Sequence, residues 1–159
     1  MTVGMTLEMR GDWTAATTRL RNIATRLKPD FIAQFENDGE FVLEKMRGHI
    51  DSQDLGWTPL SPHTVELKGG DTTILVETGA LRDGLTVKRI SSSSGLTLFV
   101  GADNSGHPSG LSMNTLMMWI EGGTDRMPPR PLIKPTIDEV QDILKDHWKD
   151  LFQDIVKGE

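Results

Sequence analysis

The chain has 159 residues, 36% hydrophobic and 25% charged, with a net charge of −6 and no cysteine. This is the size and composition of one globular domain. It argues against a general nucleic-acid binder, which needs a basic stripe to displace counterions, and excludes disulfides, thiolate nucleophiles and Cys-based zinc sites.

Residues 1–12 read as an N-terminal arm. The opening MTVGMTLEMRGDW lacks a basic segment followed by a long apolar run, so no secretory leader is expected. No apolar stretch approaches the about 20 residues of a membrane helix, and a chain without membrane contact, made in a cytoplasm, is expected. Residues 13–51 are expected to be helical in two pieces. In 13–27, Trp13, Ala16, Leu20, Ile23 and Leu27 recur at spacings of three and four, with Asp12 as N-cap. Pro29 should start a second helix and push Lys28 out of helical geometry. Along it Phe31, Phe35, Val42, Met46 and Ile50 form one stripe, with Gly39 on the same face as a bend or a point of close approach.

The turn-rich stretch 52–73 should be a long loop carrying one helical turn, capped by Ser61, opened by Pro62 and stopped by Gly69 and Gly70. Residues 74–102 should form a turn that lets Leu75 and Leu81 reach the core, then a hairpin. Its strands are expected at 85–90 and 96–102, joined by a loose loop at 91–95. A flexible loop at 103–110 precedes a helix at 112–121, begun by Ser112 or Asn114 and ended by Gly122 and Gly123. A Pro-rich segment at 122–135 leads to a C-terminal helix at 136–157, with Thr136 and Glu139 as a capping box. Its expected stripe is Ile137, Val140, Leu144, Trp148, Leu151 and Ile155. The expectation is one α+β domain: a small antiparallel sheet with an N-terminal helical segment and a long C-terminal helix.

Chemistry-bearing patterns are sparse. His49, His63, His107 and His147 show no metal-helix spacing, and neither G-x-S-x-G nor a phosphate-binding glycine loop occurs. His107 reads as an exposed loop residue and His147 as a solvated or interface residue. Glu36, Asp38, Glu40 and Glu44, and the ladder Asp142, Asp146, Asp150 and Asp154, read as solvated helix faces. A hydrolase using two opposed carboxylates is the alternative of another class. The ladder has a second use, since a negative face lets DNA slide past without sticking. No catalytic residue, cofactor or metal is expected.

Two motifs carry a resemblance. The first is GWTPLSPHTVELK (56–68) followed by ILVETGALRDGL (74–85). The pattern W-x-P-L-S-P-x-T…K…L-x-x-T-G-x-L resembles tailed-phage virion morphogenesis proteins of the Mu G-like group. The second is WIEGGTDRMPPRPLIKPTIDEV (119–140). Its aromatic residue, then E-x-G-T, then P-x-R-P and a terminal helix resemble the HK97 gp10-like tail-component group. Gly122 stands where that pattern usually has an aromatic, and Leu132 where it often has phenylalanine.

The resemblance implies a non-enzymatic structural protein of the bacteriophage virion, a homo-oligomeric and often hexameric ring at the neck or top of the tail. Such a ring completes the tail and joins it to the head connector; tail terminator and head-closure subunits are the variants within this class. Partners would be further copies of the chain, connector or head-closure proteins and tail tube or terminator proteins, with DNA passing without specific binding. In a ring, Asp142, Asp146, Asp150 and Asp154 could face the lumen.

The residues expected at subunit contacts are Arg130, Pro131, Leu132, Trp57, Trp119, Met117 and Met118. Any one of the methionines fits the core better than a contact, and Trp57 could equally pin its loop to the core. Pro128, Pro129, Pro131 and Pro135 fix φ and remove backbone donors, so the segment should run extended and stiff. It would either aim Arg130 at a neighbouring subunit, with Leu132 and Ile133 packing beneath, or serve as a rigid connector with Arg130 paired to a local carboxylate.

Overall fold

The computed structural model describes residues 13–92 and 95–157, so the expected arm at 1–12 and its Asp12 cap lie outside the described residues. Among these, seven elements follow in order: α1 (Trp13–Ser52), α2 (Pro62–Leu67), α3 (Ala80–Asp83), β1 (Leu85–Ser92), β2 (Gly95–Ala102), α4 (Met113–Gly122) and α5 (Ile133–Lys157). The architecture is α+β, with a two-stranded antiparallel sheet, an N-terminal helix and a long C-terminal helix.

One 40-residue helix replaces the expected pair, with Pro29 inside it and Lys28 helical. An interior proline costs roughly 3 kcal/mol through a lost hydrogen bond and a crowded turn. Packing just beyond it supplies the opposing term. The Phe31 ring lies 5.2 Å from Trp148 and 5.2 Å from Phe152, and Phe35 lies 6.1 Å from Trp148. These contacts, with Asp38 and Phe41 against His147 and Lys45 against Glu139, run α1 and α5 antiparallel. Val42, Met46 and Ile50 are buried, as the stripe requires.

Gly39 is a point of close approach. A Cβ there would lie 3.0 Å from the Leu98 and Val87 side chains, so its absence lets the hairpin settle on α1. The hairpin pairs Leu85 with Ala102 through to Ser92 with Gly95, which makes both strands longer and the connection shorter than expected. Residues 93 and 94 lie outside the described residues. Arg47 of α1 donates from Nη2 to the Leu85 carbonyl at 2.8 Å and ties the hairpin's first residue to the helix.

The local signals between these elements hold. Ser61 caps α2 with Pro62 behind it, Gly69 and Gly70 take φ of 67° and 94°, and Ser112 caps α4. Leu81 enters the core from α3, a helical turn the sequence did not announce, and Leu75 packs beside it with φ of 63°. The loop at 103–110 is more ordered than its composition suggests. Ser105 accepts from the Met113 amide, Asp103 from the Asn114 amide, and His107 Nδ1 lies 2.8 Å from Ser109 Oγ, a local partner the sequence reading did not give it.

The start of α5 is a correction. It begins at Ile133, three residues early, with Pro135 in its first turn, where a proline's missing N–H costs nothing. Thr136 is not a cap: it is buried, and its hydroxyl donates to the Leu132 carbonyl at 2.7 Å. Glu139 completes no capping box and reaches across to Lys45 and His49 instead. Thr136 takes the inward place expected for Ile137, which is exposed. The first half of α1 differs from expectation too. Residues 14–22 are all exposed, Leu20 by 66%, so among the described residues the start of the apolar stripe finds little to pack on until Ile23, which lines a cleft with Ile155 and Val156 of α5.

Candidate assembly surface

The two motif segments dock on each other. Trp57, buried, donates its indole N–H to the Pro131 carbonyl at 2.8 Å. Arg130, only 7% exposed, turns its guanidinium the other way across the junction. Its Nε donates to the Thr58 carbonyl at 3.2 Å and its Nη2 reaches the Pro59 carbonyl at 3.5 Å. The Arg130 amide donates to the Ile120 carbonyl at 2.7 Å. Burial pulls the Arg130 pKa below its ordinary value, yet a guanidinium stays charged at neutral pH. Its partners are backbone carbonyls rather than the local carboxylate expected of a rigid connector, because prolines at 59, 128, 129 and 131 leave this junction rich in acceptors and poor in donors.

Glu121 is the residue that sequence reasoning missed. Its Oε1 accepts from the Leu132 and Ile133 amides, both at 2.6 Å, and so caps α5 from the last turn of α4. The available signal was the glutamate of E-x-G-T, twelve residues before the helix it serves. Gly123 makes the turn between the two helices with φ of 74°. A Cβ there would sit 2.9 Å from both the Met127 carbonyl and the Pro129 nitrogen, so only glycine fits.

Two further clamps hold the 52–76 region. The Gln53 side chain acts as a peptide unit, accepting from the Ile74 amide at 2.8 Å and donating to the Ile74 carbonyl at 2.9 Å. Lys68 donates to the Thr73 and Val76 carbonyls at 2.6 and 2.7 Å and pairs with Asp71 at 3.0 Å. The Thr73 hydroxyl and amide, then Lys68, pull the Asp71 carboxyl down to about 2. Between this loop and α4 lies a cleft of about 210 Å3, walled by Leu60, Leu75, Leu116 and Met127 with Lys68 at its edge.

The residues expected at subunit contacts therefore separate. Arg130, Trp57, Leu132 and Met117 are buried within the chain, and Pro131 lends its carbonyl to Trp57. Met118 and Trp119 remain on the outer face of α4, 67% and 42% exposed. Asp142, Asp146, Asp150 and Asp154 are all exposed along α5.

Across the α1–α5 seam, His49 Nδ1 lies 2.8 Å from Asp54, and its Nε2 is 3.1 Å from Glu139 but out of line for a hydrogen bond. Lys45 holds the Glu139 carboxyl below the usual range, and His49 does the same to Asp54. Asp38 is buried, with Oδ1 accepting from Gln34 and lying 2.8 Å from His147 Nδ1. These groups cross-tie helices. Among the described residues no group of three or more His, Asp or Glu side chains is arranged to hold a metal ion, and no helix is long and apolar enough to cross a membrane. Comparison with protein-family models, with curated proteins and with solved structures returns no match.

Proposed function

We propose that the chain is a structural protein of a tailed bacteriophage virion, forming a ring at the neck or top of the tail that completes the tail and joins it to the head connector. The observation that carries this reading is the junction of the two motifs that resemble phage tail proteins. Trp57 and the carbonyls of Thr58 and Pro59 from one motif meet Arg130 and Pro131 from the other. The motif residues thus form one structural unit, which is what a motif that serves shape rather than chemistry would do. A ring subunit also needs exposed apolar side chains beside this frame, and Met118 and Trp119 stand there on α4.

The test is deletion of the gene from the phage that encodes it, followed by electron microscopy of the particles. Unjoined heads and tails, restored to virions with ring density at the neck when the chain is supplied, are the expected result. Normal virions without the chain would overturn the reading.

A further inference from the structure

The first half of α1 and the outer face of α5 carry opposite charge, and both lie open. Residues 13–29, WTAATTRLRNIATRLKP, contain Arg19, Arg21, Arg26 and Lys28 and no acid, in a chain whose net charge is −6. Arg19 and Arg21 make no ion pair among the described residues, and they flank Leu20, the side chain exposed by 66%. On α5, Asp142 is paired with Lys145 at 2.6 Å, but Asp146, Asp150 and Asp154 make no ion pair among the described residues. Ile143, 39% exposed, shares the helix surface with Asp146 and Asp150, three and seven residues on. Each surface is thus an apolar side chain framed by like charges, basic on one and acidic on the other. Their lengths agree: roughly 14 Å from Arg19 to Lys28 and roughly 18 Å from Asp142 to Asp154 at the helical rise.

We propose that the first half of α1 of one copy docks along the acidic face of α5 of a second copy, seating Leu20 beside Ile143 with Arg19 and Arg21 over Asp146 and Asp150. Leu20 and Ile143 cannot meet within one chain, although Arg19 and Ile23 line a cleft with Ile155 and Val156 at the far end of α5. The α5 residues flanking Ile143, Glu139 and His147, contact Lys45, Asp38 and Phe41 of α1. That places Ile143 about 20 residues, roughly 30 Å, along α1 from Leu20. A contact between two different surfaces is head-to-tail, so each copy that docks leaves the next site open, and the assembly closes as a ring or runs on as a filament. Only closure rests on the ring reading above. The assignment gives the acidic ladder a protein partner rather than a channel lumen.

The chain has no cysteine, so disulfide trapping is clean. In the full chain, Leu20→Cys combined with Ile143→Cys should give, on mild oxidation at high protein concentration, a covalent ladder extending beyond dimer. Neither single variant should pass dimer, because one cysteine per chain forms one disulfide, and neither should cross-link through this contact, which leaves the two like positions beyond the about 7 Å Cα separation a disulfide needs. Both positions are exposed, so circular dichroism should match the parent. A ladder without closed rings in electron micrographs would keep the contact and sink the ring. Rings without a ladder would overturn the contact and leave the ring, and monomer without a ladder would also overturn it. A second arm uses charge reversal. Arg19→Glu/Arg21→Glu and Asp146→Lys/Asp150→Lys should each lose association, and an equimolar mixture should regain it. Failure of the mixture to recover would likewise overturn the proposal.

Discussion

The junction around Arg130 and the exposed first turns of α1 spend their charges in opposite ways. At the junction a guanidinium is buried and two of its nitrogens reach carbonyls of its own chain. On α1, two arginines six and eight residues past the start of the described helix reach no carboxylate among the described residues. The lesson is that a residue's prominence in a motif says little about whether it faces a partner. Arg130, Trp57 and Leu132 stand out in the sequence and are used up inside; Arg19, Leu20 and Arg21 sit in an unremarkable threonine-rich stretch and are exposed, without an ion pair among the described residues.

The sharpest way to break this contrast is to hollow the junction. Leu132 is wholly buried, so Leu132→Ala should cost about 2–5 kcal/mol in equilibrium denaturation. A loss below 1 kcal/mol would mean that the junction is loosely packed. Gly123→Ala should come next, at about 1–3 kcal/mol, because the new Cβ meets backbone on two sides at a left-handed φ. Glu121→Ala removes the acceptor shared by two α5 amides and should cost roughly 1 kcal/mol, with Gln recovering part of it. Fraying of α5 at Ile133, seen as faster amide exchange there than in the parent, would identify the cause.

On the other side of the comparison, Arg19→Glu/Arg21→Glu should move the folding midpoint by no more than about 0.5 kcal/mol while changing association. A large destabilisation would show that these arginines belong to the fold. The smallest expected effect is the acid limb of the 68–76 loop. Asp71 titrates at about 2 instead of its ordinary 3.8, so its contribution is complete above about 3.8 and fades as pH falls through 2. Amide exchange at Thr73 should speed up over that window, and Asp71→Asn should remove the dependence.

What was legible in the sequence was local. Ser61 before Pro62, Ser112 before an apolar run, the glycines that end α2 and α4 and the alternation of β1 each carry their signal within a few residues. The helix through Pro29 was not legible, because the rings that hold it come from Trp148 and Phe152, more than 110 positions away. The start of α5 was misplaced for the same reason. Its cap is a side chain of α4, whereas the local pattern of Thr136 and Glu139 offered a plausible box that the fold uses for other bonds. Arg130 read as a hand extended outward because its acceptors, Thr58 and Pro59, lie some 70 residues upstream and are carbonyls, which carry no trace in residue identity. The candidate site was therefore half visible: the motifs were found, but not that they face each other.

The division between an interior junction and an exterior basic arm is tested most directly by the denaturation midpoint of Arg130→Ala. Leaving the Thr58 and Pro59 carbonyls without their donor at a buried position should cost about 1–3 kcal/mol, and the midpoint should fall before any partner is present. An unchanged midpoint accompanied by lost self-association would contradict the account and return Arg130 to the surface.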